Sequence, residues 1–337
     1  MELENTPERI ELRSKAKSVF SRCGLALIVL MLASGVLQVI AGAVMNTMET
    51  VPGWLFWLGN FLPIYAVGVP LAIVLMKQLP DYEAGPARFT GADLLRAIII
   101  CIPVMYIGNI IGTVLSSLLS GGAAQNPLES LIASDSWLRI LFMVFVGPFF
   151  EELIFRRYLI GKTARYGEKN AIIFSALMFG LFHMNLFQFF YAFALGLIFG
   201  YVYVRSGKLI YTVIMHVFIN FIGSVVGPWV INMMDMEALE AVENGADPAT
   251  VITEANMGGF VAYFVYLIAL LVLIVVGLIL LLKARKNVTF RRPEEELQKG
   301  EAAPATYGNA GVIVFMVLCA LAMVAAIVSP FLGSLEQ

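Results

Sequence analysis

Residues 147–156 read Gly147-Pro148-Phe149-Phe150-Glu151-Glu152-Leu153-Ile154-Phe155-Arg156. Three formal charges sit here inside a run that is otherwise apolar enough to lie in a lipid bilayer. Two more stretches share this character: Phe179-Gly180-Leu181-Phe182-His183 and His216-Val217-Phe218-Ile219-Asn220, and they hold both histidines of the chain. A charge at the centre of a membrane helix costs about 3 kcal/mol on insertion scales, so ionisable groups in such positions are functional candidates.

Outward from that stretch, the composition fixes the class. Of 337 residues, 60% are hydrophobic and 14% charged, which excludes an ordinary soluble globule. The apolar residues fall in runs of about 18–25, the length that crosses a hydrocarbon core. The fold expected is all-α, a polytopic transmembrane helical bundle. Its spans, about nine, lie near 20–45, 52–76, 94–119, 137–160, 170–186, 187–204, 209–231, 258–282 and 310–332. The fifth and sixth are short and nearly contiguous, a tight helical hairpin. The chain then divides into a cytoplasmic amphipathic lead (1–19), three spans (20–136), a core of four helices carrying the motifs (137–231), and an acidic outer loop followed by two spans (232–337).

Charge placement orients the bundle. Thr6 and Pro7 read as the N-cap and first residue of a helix whose Arg9, Arg13, Lys15 and Lys17 form a basic face for anionic lipid. With the N-terminus cytoplasmic, the inner loops hold Lys77, Arg88, Arg96, Lys162, Arg165, Lys169, Arg205, Lys208 and the basic residues of 283–299. The outer loops 46–51, 120–136 and 232–257 hold no Lys or Arg, and only Arg139 stands at an outer helix end. This asymmetry is the positive-inside pattern, with an odd number of spans and the C-terminus outside. The inner segment 283–309 reads as a linker whose basic start holds onto inner-leaflet lipid, and 232–257 as a solvated acidic loop with a short surface helix. Cys23, Cys101 and Cys319 have neither metal nor disulfide spacing. Small residues four apart, Ala192, Gly196 and Gly200, and Gly108 with Gly112, mark faces for close helix contact. No nucleic-acid partner is expected; membrane lipid is.

The three motifs differ in what they offer. Glu151 and Glu152 are neighbours on a helix, so their side chains diverge by about 100°. Glu152 and Arg156 are four apart in the favourable order for an ion pair, which leaves Glu151 free to act. Gly147-Pro148 removes a backbone hydrogen bond and bends the helix, opening room for water. A buried ion pair that only locks the bundle is the alternative, and for that one carboxylate would suffice. His183 lies one turn from Phe179. His216 and Asn220 share a face and offer an imidazole and a carboxamide to one point, as donors to an oxyanion or as interhelical packing. Jointly, a free carboxylate, two imidazoles and an amide are the inventory for water-driven amide hydrolysis. A G-x-S-x-G elbow is absent, so activated water is favoured over a nucleophilic side chain. Counting residues from the span ends puts Glu151 and His216 about 10 Å above the inner face, at about 1.5 Å per residue, with His183 higher. The peptide would be cut near the cytoplasmic side.

Glu-Glu-x-x-x-Arg, Phe-x-x-x-His and His-x-x-x-Asn, in this order on successive membrane helices, resemble the CAAX-protease and bacteriocin-processing family, also called Abi. These are intramembrane proteases related to the type II CAAX prenyl endopeptidase, and the resemblance covers about residues 137–231. It implies that Glu151 and His183 activate the water and that His216 and Asn220 stabilise the oxyanion, with Glu152, Arg156 and Phe179 in support. It also implies a peptide or small membrane protein as substrate and a bacterial plasma membrane as location. In eukaryotic relatives the substrate is a prenylated C-terminal peptide; bacterial relatives are linked to bacteriocin self-immunity and peptide processing. No cofactor is required on this reading. A divalent metal, zinc, held by Glu151, His183 and His216 is the alternative, although no His-Glu-x-x-His is present. A non-catalytic membrane scaffold or bacteriocin-immunity protein on the same fold is the alternative function. A transporter with a midplane site is a third, and it lacks the paired interrupted helices expected of one.

Overall fold

The computed structural model of the protein describes residues 6–82, 85, 89–134 and 136–333, without the side chains of 330–333. Arg88, counted above among the inner-loop charges, lies outside the described residues. The chain opens with α1, Pro7–Met45, and Thr6 caps it as expected, its Oγ1 accepting from the Arg9 N–H at 3.3 Å. There follow α2 (Gly53–Lys77), α3 (Gly91–Ser120), a short α4 (Pro127–Ile132) and a continuous helix α5 over 138–163. Next come α6 (Glu168–Phe182), α7 (Leu186–Ser206) and α8 (Leu209–Ile231). The chain closes with α9 (Met236–Glu243), α10 (Glu254–Ala284), α11 (Ala302–Tyr307) and α12 (Ala310–Gly333). The described residues form helices and connections, with no strand.

Seven of these helices are long and apolar enough to cross a membrane: α1, α2, α3, α7, α8, α10 and α12. The protein is a polytopic helical bundle. The other two expected spans exist as helices but fall short on length or composition. Helix α5 carries Arg139, Glu151, Glu152, Arg156, Arg157 and Lys162, and α6 has only 15 residues. Both pack among the apolar helices, with Phe155, Phe174 and Met178 buried. The helix α9 is the short surface element foreseen in the acidic loop; Asp235 caps it, accepting from the Ala238 N–H at 3.0 Å.

The small-residue faces work as packing surfaces. A Cβ on Gly108 would stand 2.5 Å from Tyr191 Cα, and one on Gly112 would stand 2.5 Å from Leu186 O, so α3 lies backbone to backbone on α7. On the other side of α7, a Cβ on Gly196 would meet Ala176 Cα of α6 at 3.0 Å. Close approach of this kind drives association where lipid removes the hydrophobic incentive. The α6–α7 turn is very tight. Met184 takes a left-handed φ of 53°, and Asn185 caps α7 by accepting from Gln188 N–H at 2.9 Å. The three cysteines are buried and free.

The segment after α10 is not the free linker that its composition suggested. It folds against the Lys-rich end of the bundle. The Arg291 N–H donates to Glu168 Oε2 at 2.7 Å, the Leu297 N–H to Tyr166 O at 3.2 Å, and Asn170 Nδ2 to Thr306 Oγ1 at 2.7 Å. Glu301 is fully buried and takes hydrogen bonds from Arg9, from Arg13 Nη1 at 3.3 Å and from Gln298 N–H at 2.9 Å. Arg9 and Arg13, expected to rest on lipid, are thus turned inward by a carboxylate that the sequence places almost three hundred residues away. Burial raises the Glu301 carboxyl, but the Gln298 N–H and the two guanidiniums outweigh it and hold the group below its ordinary value of 4.5. A depressed folded value makes the stabilisation complete above about pH 4.5 and lost as the pH falls through the folded value. Acid should therefore release this segment in the wild type, read as faster proteolysis at 283–309. In Glu301→Gln that acid-dependent step should vanish.

Candidate active site

The glutamate helix α5 is wound unevenly. Ile140–Val146 and Leu153–Ile160 are π-helical, and between them Gly147–Glu152 forms one α-helical stretch. Wide turns of this kind are frequent at functional sites. The expected bend at Pro148 is thus a change of winding, with a local cause. The Gly147 N–H donates five residues back, to Phe142 O. The next rung would join Met143 O to the nitrogen of Pro148, which has no hydrogen. Asn220 Nδ2 of α8 donates to that freed carbonyl at 2.8 Å. Pro148 thereby docks the Asn220 carboxamide against α5. Gly147 has its own reason: a Cβ there would meet Phe142 O at 2.9 Å and Tyr65 Oη at 3.0 Å.

Glu152 faces inward and is fully buried, as is Arg156. Arg156 Nη2 donates to Glu152 Oε1 at 3.2 Å, while its Nε approaches Oε2 at 2.9 Å off the N–H axis, an electrostatic contact. Arg156 Nη1 donates to Ser175 Oγ at 3.3 Å, and the guanidinium carbon lies 4.8 Å from the Phe179 ring centre and 5.6 Å from that of Phe199. Glu152 has a second task that the helix spacing did not reveal. Its Oε1 lies 3.0 Å from His216 Nδ1. A carboxylate only accepts, so that nitrogen carries the hydrogen and Nε2 faces the cavity.

His183 is set in the same way by a different partner. Its Nδ1 lies 2.9 Å from the Phe179 carbonyl, which again only accepts, so Nδ1 donates and Nε2 is left open. The Phe179 ring packs edge-on to both imidazoles, 5.0 Å from His183 and 5.8 Å from His216. His183 is the C-cap of α6, which ends at Phe182, four residues before the span end near 186 that hydropathy suggested. The sequence estimate had put His183 higher than Glu151 and His216, yet all three line the same cavity.

Glu151 is the carboxylate left over. Its side chain is 21% exposed, and its Oε2 lies 3.7 Å from His216 Nε2, beyond a direct hydrogen bond but within the looser range of unliganded catalytic pairs. Glu151, His183, His216 and Asn220 all line one cavity of about 380 Å³. Its remaining walls include Tyr65, Asn109, Gln188 and Tyr191, none of which the motifs indicated. One of these had a signal: Asn185-x-x-Gln188 has the spacing of an N-cap and its N3 residue, and Asn185 Nδ2 donates to Gln188 Oε1 at 2.7 Å and to His183 O at 2.8 Å. Among the described residues, no three His, Cys, Asp or Glu side chains are grouped closely enough to hold a metal ion. The residues do not form the His₂Glu ligand set that zinc would need, and no step below is routed through a metal.

Comparison with known proteins meets this geometry from another side. Residues 133–222 match the family described as Rce1-like, type II CAAX prenyl endopeptidase Rce1-like. This is the family that the three motifs resemble, and the matched segment contains all of them. The match supports CAAX-type protease activity at the general level. No curated protein and no solved structure matches the chain.

Proposed function

We propose that this chain, with its type II CAAX endopeptidase-like core, is an intramembrane endopeptidase in which Glu151 is the base. Water in the cavity gives a proton to Glu151, oriented with His183, and its oxygen bonds to the carbonyl carbon of a peptide. The carbonyl oxygen becomes an oxyanion. Asn220 meets it with the N–H not spent on Met143, and His216 meets it through Nε2 when the ring carries both protons. Glu152 at Nδ1 is the charge that matches that form. The proton on Glu151 then passes to the departing amine as the C–N bond breaks, which balances the reaction. Donors fixed in an apolar, enclosed site stabilise developing charge more than they would in water.

The observation that carries this reading is the common direction of three groups. The Glu151 carboxylate and the Nε2 atoms of both histidines border one cavity, while each Nδ1 is held by its own acceptor. The test is the full chain in detergent given a library of apolar and lipid-modified peptides. Cleavage that disappears in His183→Ala supports the proposal; a library left intact by the wild type overturns it. We read the reaction as metal-free. The same assay with EDTA and with 1,10-phenanthroline should give unchanged rates, and loss of cleavage restored by zinc would contradict the metal-free step.

A further inference from the structure

The cavity has a direction. In α5 its lining runs from Glu151 back to Phe142, in α8 from His216 on to Ser224, and in α7 from Phe199 back to Gln188. Helix α3 contributes Met105 to Asn109 and α2 contributes Tyr65 to Phe61. Each of these progressions leads toward the same end of the bundle, the end of the connections 46–52, 121–137, 183–185 and 232–253. The short helix α4 belongs to that end and supplies Leu128 and Leu131 to the rim. Toward the other end the cavity stops at Phe199 and His216, with fully buried Glu152 and Arg156 behind them.

The two ends differ in charge. Those four connections contain no Lys or Arg. Arg139, at the start of α5, is the one described basic residue on that side, and it donates to the Ile132 carbonyl that closes α4. Lys77, Lys162, Arg205, Lys208 and Lys286 all stand at the opposite end. Basic residues in short loops mark the cytoplasmic side. The site therefore opens away from the cytoplasm, which reverses the side inferred from counting residues along the spans. That count carried no information on which way the space around Glu151 widens.

We propose that the site takes its peptide from the non-cytoplasmic side, so that the substrate is a chain already across the membrane. The choice of substrate rests on the endopeptidase reading; the sidedness does not. Two measurements on the full chain separate them. Ser130→Cys in α4 and Lys286→Cys after α10 are made in the wild-type background, whose own cysteines are buried. In intact bacterial cells a membrane-impermeant maleimide should label Ser130→Cys fully, and Lys286→Cys only after lysis. Labelling of Lys286→Cys in intact cells, or of Ser130→Cys only after lysis, overturns the sidedness. The second measurement maps peptide ends that appear with the wild type and not with Glu151→Gln. They should fall in exported chains or in outer segments of membrane proteins. Ends confined to cytoplasmic segments overturn this proposal and leave the endopeptidase intact. A complete lack of such ends overturns the endopeptidase reading and its substrate, while the labelling result still stands.

Discussion

Glu151→Gln should lower cleavage by about three orders of magnitude and leave the fold unchanged. Glutamine keeps the size and the hydrogen-bonding outline of the side chain but removes the base, and general-base catalysis contributes about 10²–10⁴ in rate. The fold should not respond, because Glu151 makes no close ion pair: His216 Nε2 stands 3.7 Å from its Oε2. The check is the rate at which cleaved ends appear from the peptide library, with the thermal unfolding of each variant recorded alongside. A Glu151→Gln protein that melts like the wild type and cleaves within tenfold of it, less than the lower end of the range just given, would remove Glu151 as the base.

Arg156→Ala should do the reverse, and cost stability first. It would leave the Glu152 carboxylate fully buried with its main counter-charge gone. Removing one partner of a buried pair costs about 3–5 kcal/mol, because the survivor cannot return to water. It would also strip the cation from the Phe179 and Phe199 rings and release Ser175 Oγ from one of its partners. Replacing both partners by apolar groups separates structure from chemistry. Glu152→Leu with Arg156→Met should regain most of the lost stability, since buried pairs exchange for hydrophobic ones at little net cost. It should not regain cleavage, because His216 Nδ1 then lacks the acceptor that fixes its tautomer. Unfolding in detergent and cleavage rate, measured on the single and double variants, read the two effects independently.

These expectations draw on both what the sequence disclosed and what it withheld. Spacing alone was enough to pair Glu152 with Arg156 and to leave Glu151 apart, since four residues on a helix bring side chains together whatever surrounds them. Hydropathy was enough to find the helices, including α5 and α6, which length and composition alone do not mark as spans. The winding of α5 was not readable. A regular helical period cannot express wide turns, and the link from Pro148 through the Met143 carbonyl to Asn220 exists only because those turns shift the hydrogen-bond register. Glu152 as the acceptor for His216 was hidden for a similar reason: the two lie 64 residues apart, and no periodicity joins separate helices. The segment 283–309 was misread as a linker because its charges show no partner nearby in the sequence. Their partners, Glu301 with Arg9 and Arg13, lie at opposite ends of the chain.

The most direct test of the account is made in the membrane where the protein acts. Peptide ends are compared in cells carrying the wild type, Glu151→Gln or His216→Ala, at matched amounts of folded protein. The account predicts a common set of ends that is present with the wild type and missing from both variants, because the carboxylate and the imidazole serve one cavity. Ends that persist unchanged in either variant, or two sets that respond to the two substitutions separately, would contradict it.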